Sequence, residues 1–393
     1  AVENNNMNSK NYHKWRVYDI SIAHFVHDVY SSFLAPLLPL LIDKIGLNYF
    51  LAGSLTLYGR LPSLMNPFIG LLADKIVIRY FIIFTPAITA ISMSLIGLAS
   101  NYFQLLVLLL IMGFSAAFFH VPAPVLIKNV SGEKRGLGMS FYALAGEFAR
   151  AMGPLLIVSA VSWWGLEGSW RVMPLGLIAS VILYFRLKKL KDFDVKPKFN
   201  KRPLAKGELK KLTSFFLIIV GYILGRGLLR SLLVTFLPTF YTSSGSSLWT
   251  GTSMLVMVEV FGAAGTLLAG NYSDKIGRKR TLIIIALAMP ILMFLYNITS
   301  GYISVLFLAL SGLFMFGSAP VLLALVHDYK SDRPSFINSI YMTLSFVFGA
   351  ASTMLVGYLS DIYGLDNLFL YSPLLAIVAI PFAFLMPEFE RNN

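Results

Sequence analysis

Gly270-Asn271-Tyr272-Ser273-Asp274-Lys275-Ile276-Gly277-Arg278-Lys279-Arg280 is a charged loop set between two long apolar runs. Gly70-Leu71-Leu72-Ala73-Asp74-Lys75 opens the same way 200 residues earlier. A second echo, Ser140-Phe141-Tyr142 against Ser339-Ile340-Tyr341, recurs at an offset of 199. Two nearly equal offsets mark an internal duplication in which each copy holds half the chain. The whole chain of 393 residues is 57% hydrophobic and only 13% charged, where a soluble domain carries about 25% charge. An integral membrane protein is the class that fits.

A helical crossing needs about 20 apolar residues. On that basis twelve spans are expected, near 17–42, 48–74, 80–99, 102–127, 136–162, 168–187, 213–242, 248–273, 280–299, 302–326, 335–361 and 366–387. The expected fold is therefore all-α: twelve transmembrane helices in two pseudo-symmetric six-helix halves. One long polar stretch divides them, rich in Lys188, Lys189, Lys191, Lys196, Lys198, Lys201, Arg202, Lys206, Lys210 and Lys211 and holding Pro197 and Pro203. The domain reading is a cytoplasmic segment over 1–16, an N-terminal half over 17–187, a basic linker over 188–212, a C-terminal half over 213–387 and a tail over 388–393.

Charge position sets the orientation. With the N-terminus inside, the inner segments hold 26 of the 32 Lys and Arg, and the outer loops only Lys44 and Arg171. That asymmetry predicts a multi-pass protein of the inner (plasma) membrane with both termini cytoplasmic. The net charge of +13 is thus assigned to membrane flanks and anionic lipid heads, not to nucleic acid. The polar, basic first twenty residues do not read as a cleavable signal, and Met7 is expected as the natural start. With no cysteine, disulfides, thiolate metal sites and cysteine nucleophiles are excluded. No Gly-rich phosphate loop precedes a helix, so ATP-driven transport is not expected. No Ser/His/Asp arrangement suggests an enzyme. Trp15 on the inside and Trp163, Trp164 and Trp170 on the outside read as interfacial anchors.

The loop pattern Gly-x-x-x-Asp-Lys/Arg-x-Gly-Arg/Lys-Arg/Lys resembles that of the major facilitator superfamily, and the resemblance runs over the whole chain. The copy at 270–280 is complete, whereas Val77 and Ile78 break the first. The resemblance implies alternating access, in which one half rocks against the other around a central site. It also gives Asp74, Asp274 and Arg278 a gating role. A narrower likeness is to the fosmidomycin-resistance branch. It rests on Ala23-His24-Phe25-Val26-His27-Asp28 before Pro36 and Pro39, on Phe119-His120 before Pro122, and on Gly146-Glu147-Phe148 before Gly153-Pro154. That branch comprises proton-driven exporters of small drugs, and its namesake substrate is a phosphonate anion. It places His24, Asp28 and His120 in the cavity. Ala149 stands where the antiporter motif prefers Gly, and Glu147, Arg150, Arg60, Arg226 and Arg230 depart from the branch pattern.

Those departures carry the functional reading. A charge near the bilayer centre costs about 2.5–3.5 kcal/mol on insertion scales, so one kept there has a partner or a task. Arg226 and Arg230 are four apart on one helix face, and guanidinium groups hold carboxylate or phosphate oxygens bidentately. They, with Arg150, His120 and Tyr142, are the substrate-binding candidates; a structural pairing with Glu259 is the bland alternative. Asp28, Glu147, His24 and Glu259 are the proton-coupling candidates. Glu147 and Arg150, three apart, form either a local ion pair or a switch. Arg60 fits a gate ion pair or a substrate contact, and His327-Asp328 an interfacial group. The expected function is a proton-coupled secondary transporter of a small organic or phosphorus-containing anion, export favoured, acting as a monomer with no cofactor and no resident metal. Two alternatives stand beside it. One is a divalent-metal exporter using His24, Asp28 and His120, which suit Zn, Fe or Mn. The other is a non-transporting membrane sensor.

Overall fold

The computed structural model describes residues 12–66, 68–69, 78–188, 206–329 and 334–389. Among them the regular elements are all helical. We number them as spans. α1 covers Lys14–Ile45 and breaks after Ser31, where Ser31 and Ser32 hydroxyls donate to the Asp28 and Val29 carbonyls. Pro36, without an N–H, reinforces that break. α2 is Tyr49–Arg60, capped by Asn48, whose side chain accepts from the Leu51 N–H at 2.8 Å. α3 is Arg79–Leu98 and α4 is Tyr102–Val130.

α5 (Arg135–Gly168) and α6 (Met173–Leu187) follow. They form one apolar stretch of 52 residues, Gly136–Leu187, that reverses at Gly165. There φ is +73°, a conformation open to glycine at little cost. α7 is Leu212–Ser243, α8 Leu248–Ile276, α9 Arg278–Ile298 and α10 Gly301–Asp328. α11 is Pro334–Tyr363. α12 is a broken run, Leu365–Leu370, Ser372–Ile377 and Ile380–Leu385, with Pro373 and Pro381 opening its second and third pieces.

Nine stretches of the described residues are long and apolar enough to cross a membrane. The 52-residue stretch supplies two passes, and the shorter α2 and α12 complete the twelve. Close packing divides the chain into two compact units: Ala1–Phe33 with Pro62–Lys198, and Leu34–Leu61 with Phe199–Asn393. The core of the first unit gathers Val17, Ile20, Ala23, Ile82, Phe119, Leu126 and Leu183. The second unit buries Phe215, Ile219, Tyr222, Leu282, Val321, Leu322 and Tyr341.

Within the second unit, α2 lies against α11 at backbone contact. A Cβ on Gly53 would fall 2.6 Å from the Thr353 carbonyl oxygen, and Gly357 meets Tyr49 equally closely. Both oxygens of Asp361 accept from the start of α2, the Tyr49 N–H at 2.7 Å and the Phe50 N–H at 2.9 Å. First-turn N–H groups have no partner inside their own helix, so a carboxylate from another helix supplies one here. It also meets the positive end of the α2 dipole.

Candidate functional site

Each unit contains its own polar cluster. In the first, His24 and Asp28 sit one turn apart on α1, with His24 Nε2 3.2 Å from Asp28 Oδ2. His120 arrives from α4, its Nε2 3.3 Å from Asp28 Oδ1. His24 Nδ1 lies 2.8 Å from the Tyr142 carbonyl oxygen on α5. A carbonyl only accepts, so Nδ1 carries the hydrogen. A neutral ring then points the Nε2 lone pair at a carboxylate oxygen. Two acceptors at that distance repel, and one proton on either partner turns the contact into a hydrogen bond.

Packing holds the ring in that pose. The Tyr142 ring stacks on His24 with centroids 4.0 Å apart, and any Cβ at Gly146 would collide with the imidazole. The His24 and Asp28 side chains are 8% and 10% exposed, the His120 side chain 43%, so the cluster is open on its His120 side. The three donor atoms lie within 4.8 Å of one another, near enough for one small cation. His27, beside Asp28 in sequence, packs its ring edge-on to His120 with centroids 5.2 Å apart. It is fully buried and its Nδ1 is 2.9 Å from Thr89 Oγ1. Thr89 donates to Ser115 at 2.8 Å, and Ser115 to the Thr85 carbonyl at 2.9 Å. This chain ties α1, α3 and α4 together and is a packing device. One turn beyond Tyr142 on α5, Glu147 and Arg150 form an ion pair.

In the second unit, Arg226 and Arg230 both lie against α10. Arg226 Nη1 donates to Ser318 Oγ at 2.9 Å. The Arg230 guanidinium sits 4.8 Å from the centre of the Phe316 ring, within cation–π range. Tyr222 also reaches Ser318, and Tyr341 lies within electrostatic range of Arg226. Arg226 Nε is buried without a hydrogen-bond partner. Gly225 and Gly227 serve helix approach: Gly225 meets the Ala379 backbone of α12 and Gly227 meets Ser352 of α11. Directly after Arg230 the helix loosens into a π segment, Ser231–Phe236, a feature frequent at functional sites. Arg60 at the end of α2 lies beside Gly349 of α11 and within electrostatic range of Arg226. Glu259 on α8 is buried.

Of the gating candidates, Arg278 joins three helix ends. It lies 2.5 Å from Asp274, 3.2 Å from Asp328 and 2.6 Å from the Ser273 hydroxyl. His327 contacts Asn338 at 3.3 Å. Asp74 lies outside the described residues. Sequence reasoning missed Ser318, Phe316, Tyr222, Thr89 and Asp361, and noted Tyr341 only as the repeat of Tyr142, with no role. Of the missed residues only Asp361 carried a signal, as an acid at the end of an apolar run.

Comparison with known proteins agrees with this architecture. The fosmidomycin resistance protein of Escherichia coli (strain K12) is 21% identical over 390 residues, covering 92% of this chain and 91% of that protein. An uncharacterised MFS-type transporter, YfnC of Bacillus subtilis (strain 168), is 24% identical over 381 residues, covering 95% and 92%. Among solved structures, a bacterial homologue of the human lysosomal transporter Spinster, inward-facing and unoccupied, superposes with a TM-score of 0.74 at 15% identity, covering 95% and 96%. A D-xylose–proton symporter gives 0.68 at 14%, covering 96% and 99%. Residues 20–353 match the sequence profile of the Major Facilitator Superfamily. By that match and by its twelve-pass helical fold, the chain belongs to the Major Facilitator Superfamily, a family of multi-pass membrane transporters of small molecules and not of enzymes.

Proposed function

We propose that the protein is a proton-coupled secondary transporter of a small organic or phosphorus-containing anion. The observation that carries this reading is the pair Arg226 and Arg230, held against α10 by Ser318 and Phe316 in an otherwise apolar span. A guanidinium stays charged at any physiological pH, so two of them form a standing anion site. In the first unit, Arg150, His120 and Tyr142 are the further substrate-binding residues of this reading. Asp28 and His24 carry the coupling proton, supported by the lone-pair geometry of their contact. Glu147 and Glu259 are secondary carriers. Asp274, Arg278, Asp74 and Arg60 act in gating. The protein works as a monomer in the inner membrane with both termini cytoplasmic, supported by its Lys and Arg distribution. Export is the preferred direction, because the Escherichia coli relative is a resistance protein.

The test uses purified protein in proteoliposomes with an imposed pH gradient and a panel of phosphonates, phosphates and carboxylates. Counterflow of one anion class, lost in Arg226→Ala and Arg230→Ala, is the expected result. Wild-type rates in both variants sink the assignment. Thermal stabilisation by divalent metals alone, lost in His120→Ala, would instead make the histidine–carboxylate cluster a metal site and the cargo a cation.

A further inference from the structure

Two depressions meet on the first unit where α1 begins. One is a polar pocket of about 530 Å³, lined by Tyr12, His13, Lys14, Arg16, Asp19 and Arg186. The other is an apolar groove of about 780 Å³ along α1, α5 and α6, walled by Ile22, Phe25, Phe141, Leu144, Phe148 and Ile182. Trp15, Asp19 and Arg186 line both, so the two adjoin. The groove walls are open: Leu144 and Phe148 are each more than half exposed.

The pocket sets three cations, Lys14, Arg16 and Arg186, against one carboxylate. Asp19 is buried and accepts from Arg186 at 2.5 Å, which fixes that guanidinium in place. Arg16 is anchored too, donating to the Arg186 carbonyl. Their side chains are still 34% and 48% exposed, and so can serve another anion. Trp15, largely exposed, marks the junction of polar and apolar surface, the level favoured by interfacial tryptophans.

A positive pocket opening into an apolar groove matches a molecule with an anionic head and a hydrocarbon tail. We propose that this is a binding site for one anionic phospholipid, its phosphate between Arg16 and Arg186 and an acyl chain along α1, α5 and α6. Guanidinium–phosphate hydrogen bonding supplies the head selectivity, and the membrane's anionic lipids supply the ligand. The site is separate from Arg226 and Arg230 and stands or falls independently of the anion-transport reading.

Native mass spectrometry of the full chain, released from micelles holding equimolar phosphatidylglycerol and phosphatidylcholine, tests it. One retained phosphatidylglycerol, about tenfold over phosphatidylcholine, is expected. The double variant Lys14→Gln/Arg16→Gln removes one of the two phosphate contacts and a neighbouring cation, and Leu144→Trp fills the groove; each lowers retention about fivefold or more. Arg171→Gln leaves it unchanged. Equal retention of the two lipids, or retention unchanged in either test variant, overturns the proposal. Displacement by glycerol phosphate at equal concentration also overturns it, since the groove would then contribute nothing. If the double variant fails to fold, Leu144→Trp, a surface change, decides alone.

Discussion

In the first unit a carboxylate sits between two imidazoles; in the second one guanidinium sits on a serine hydroxyl and another on an aromatic ring, and the Glu259 carboxylate is buried as well. The two clusters differ in what a single proton can do to them. One proton turns a histidine–carboxylate contact from repulsion between acceptors into a hydrogen bond. An arginine keeps its proton throughout the physiological range. On the proposed reading the first unit offers a contact that one proton can change, and the second offers two guanidiniums that keep their charge in a unit that also buries Glu259. A proton-coupled anion carrier needs both properties, and the comparison can be broken at either end.

The largest expected effect is at the permanent charges. Hydrogen bonds to charged groups are worth about 1.5–3 kcal/mol, so Arg226→Ala or Arg230→Ala should each weaken anion binding roughly tenfold to a hundredfold. Arg226→Lys should recover only part, because an ammonium lacks the planar fork. Counterflow at fixed pH measures this. Unchanged rates in all three variants would remove the second unit from substrate recognition.

Next in size is the switch itself. Asp28→Asn keeps the side-chain shape and offers an N–H₂ to the His24 lone pair, so the contact no longer needs a proton. Accumulation driven by a pH gradient should fall about tenfold while gradient-free exchange persists. Equal loss of both would make Asp28 a structural or substrate residue and erase the contrast between the units.

These residues also show what the sequence could and could not disclose. Spans, duplication and basic loops are legible because the bilayer imposes one length and one polarity on every crossing. The His24–Asp28 contact is legible from its spacing of four, as is the shared face of Arg226 and Arg230. Their partners are not. Ser318 and Phe316 resemble any other residues of α10, and the group that fixes the His24 tautomer is the Tyr142 backbone carbonyl, which leaves no trace in residue identity. Gly225 and Gly227 read equally as room for a ligand or for a helix, and only packing against α12 and α11 decides for the helix.

A smaller effect tests the helix contact inside the second unit. Asp361→Ala removes both acceptors from the start of α2. Loss of a cap costs about 1 kcal/mol, so the variant should melt a few degrees lower, and Asp361→Asn should recover part of that. Equal stability in all three proteins would mean that the glycine-to-backbone contacts between α2 and α11 hold α2 unaided.

The smallest effect separates a bystander from a second switch in the first unit. Glu147 and Arg150 are neighbours on α5, with 22% and 33% side-chain exposure. Ion pairs at this spacing are worth about 0.2–0.5 kcal/mol, so Glu147→Gln should barely change the melting temperature. A local pair would leave transport untouched as well. A coupling role predicts something that stability cannot imitate: a shallower dependence of transport rate on pH, with maximal rate nearly unchanged. That outcome would place two proton-sensitive contacts on the first unit, Asp28–His24 and Glu147–Arg150, against none among the arginines of the second. An unchanged pH profile would leave Asp28 and His24 as the switch and reduce Glu147 to neutralising its neighbour.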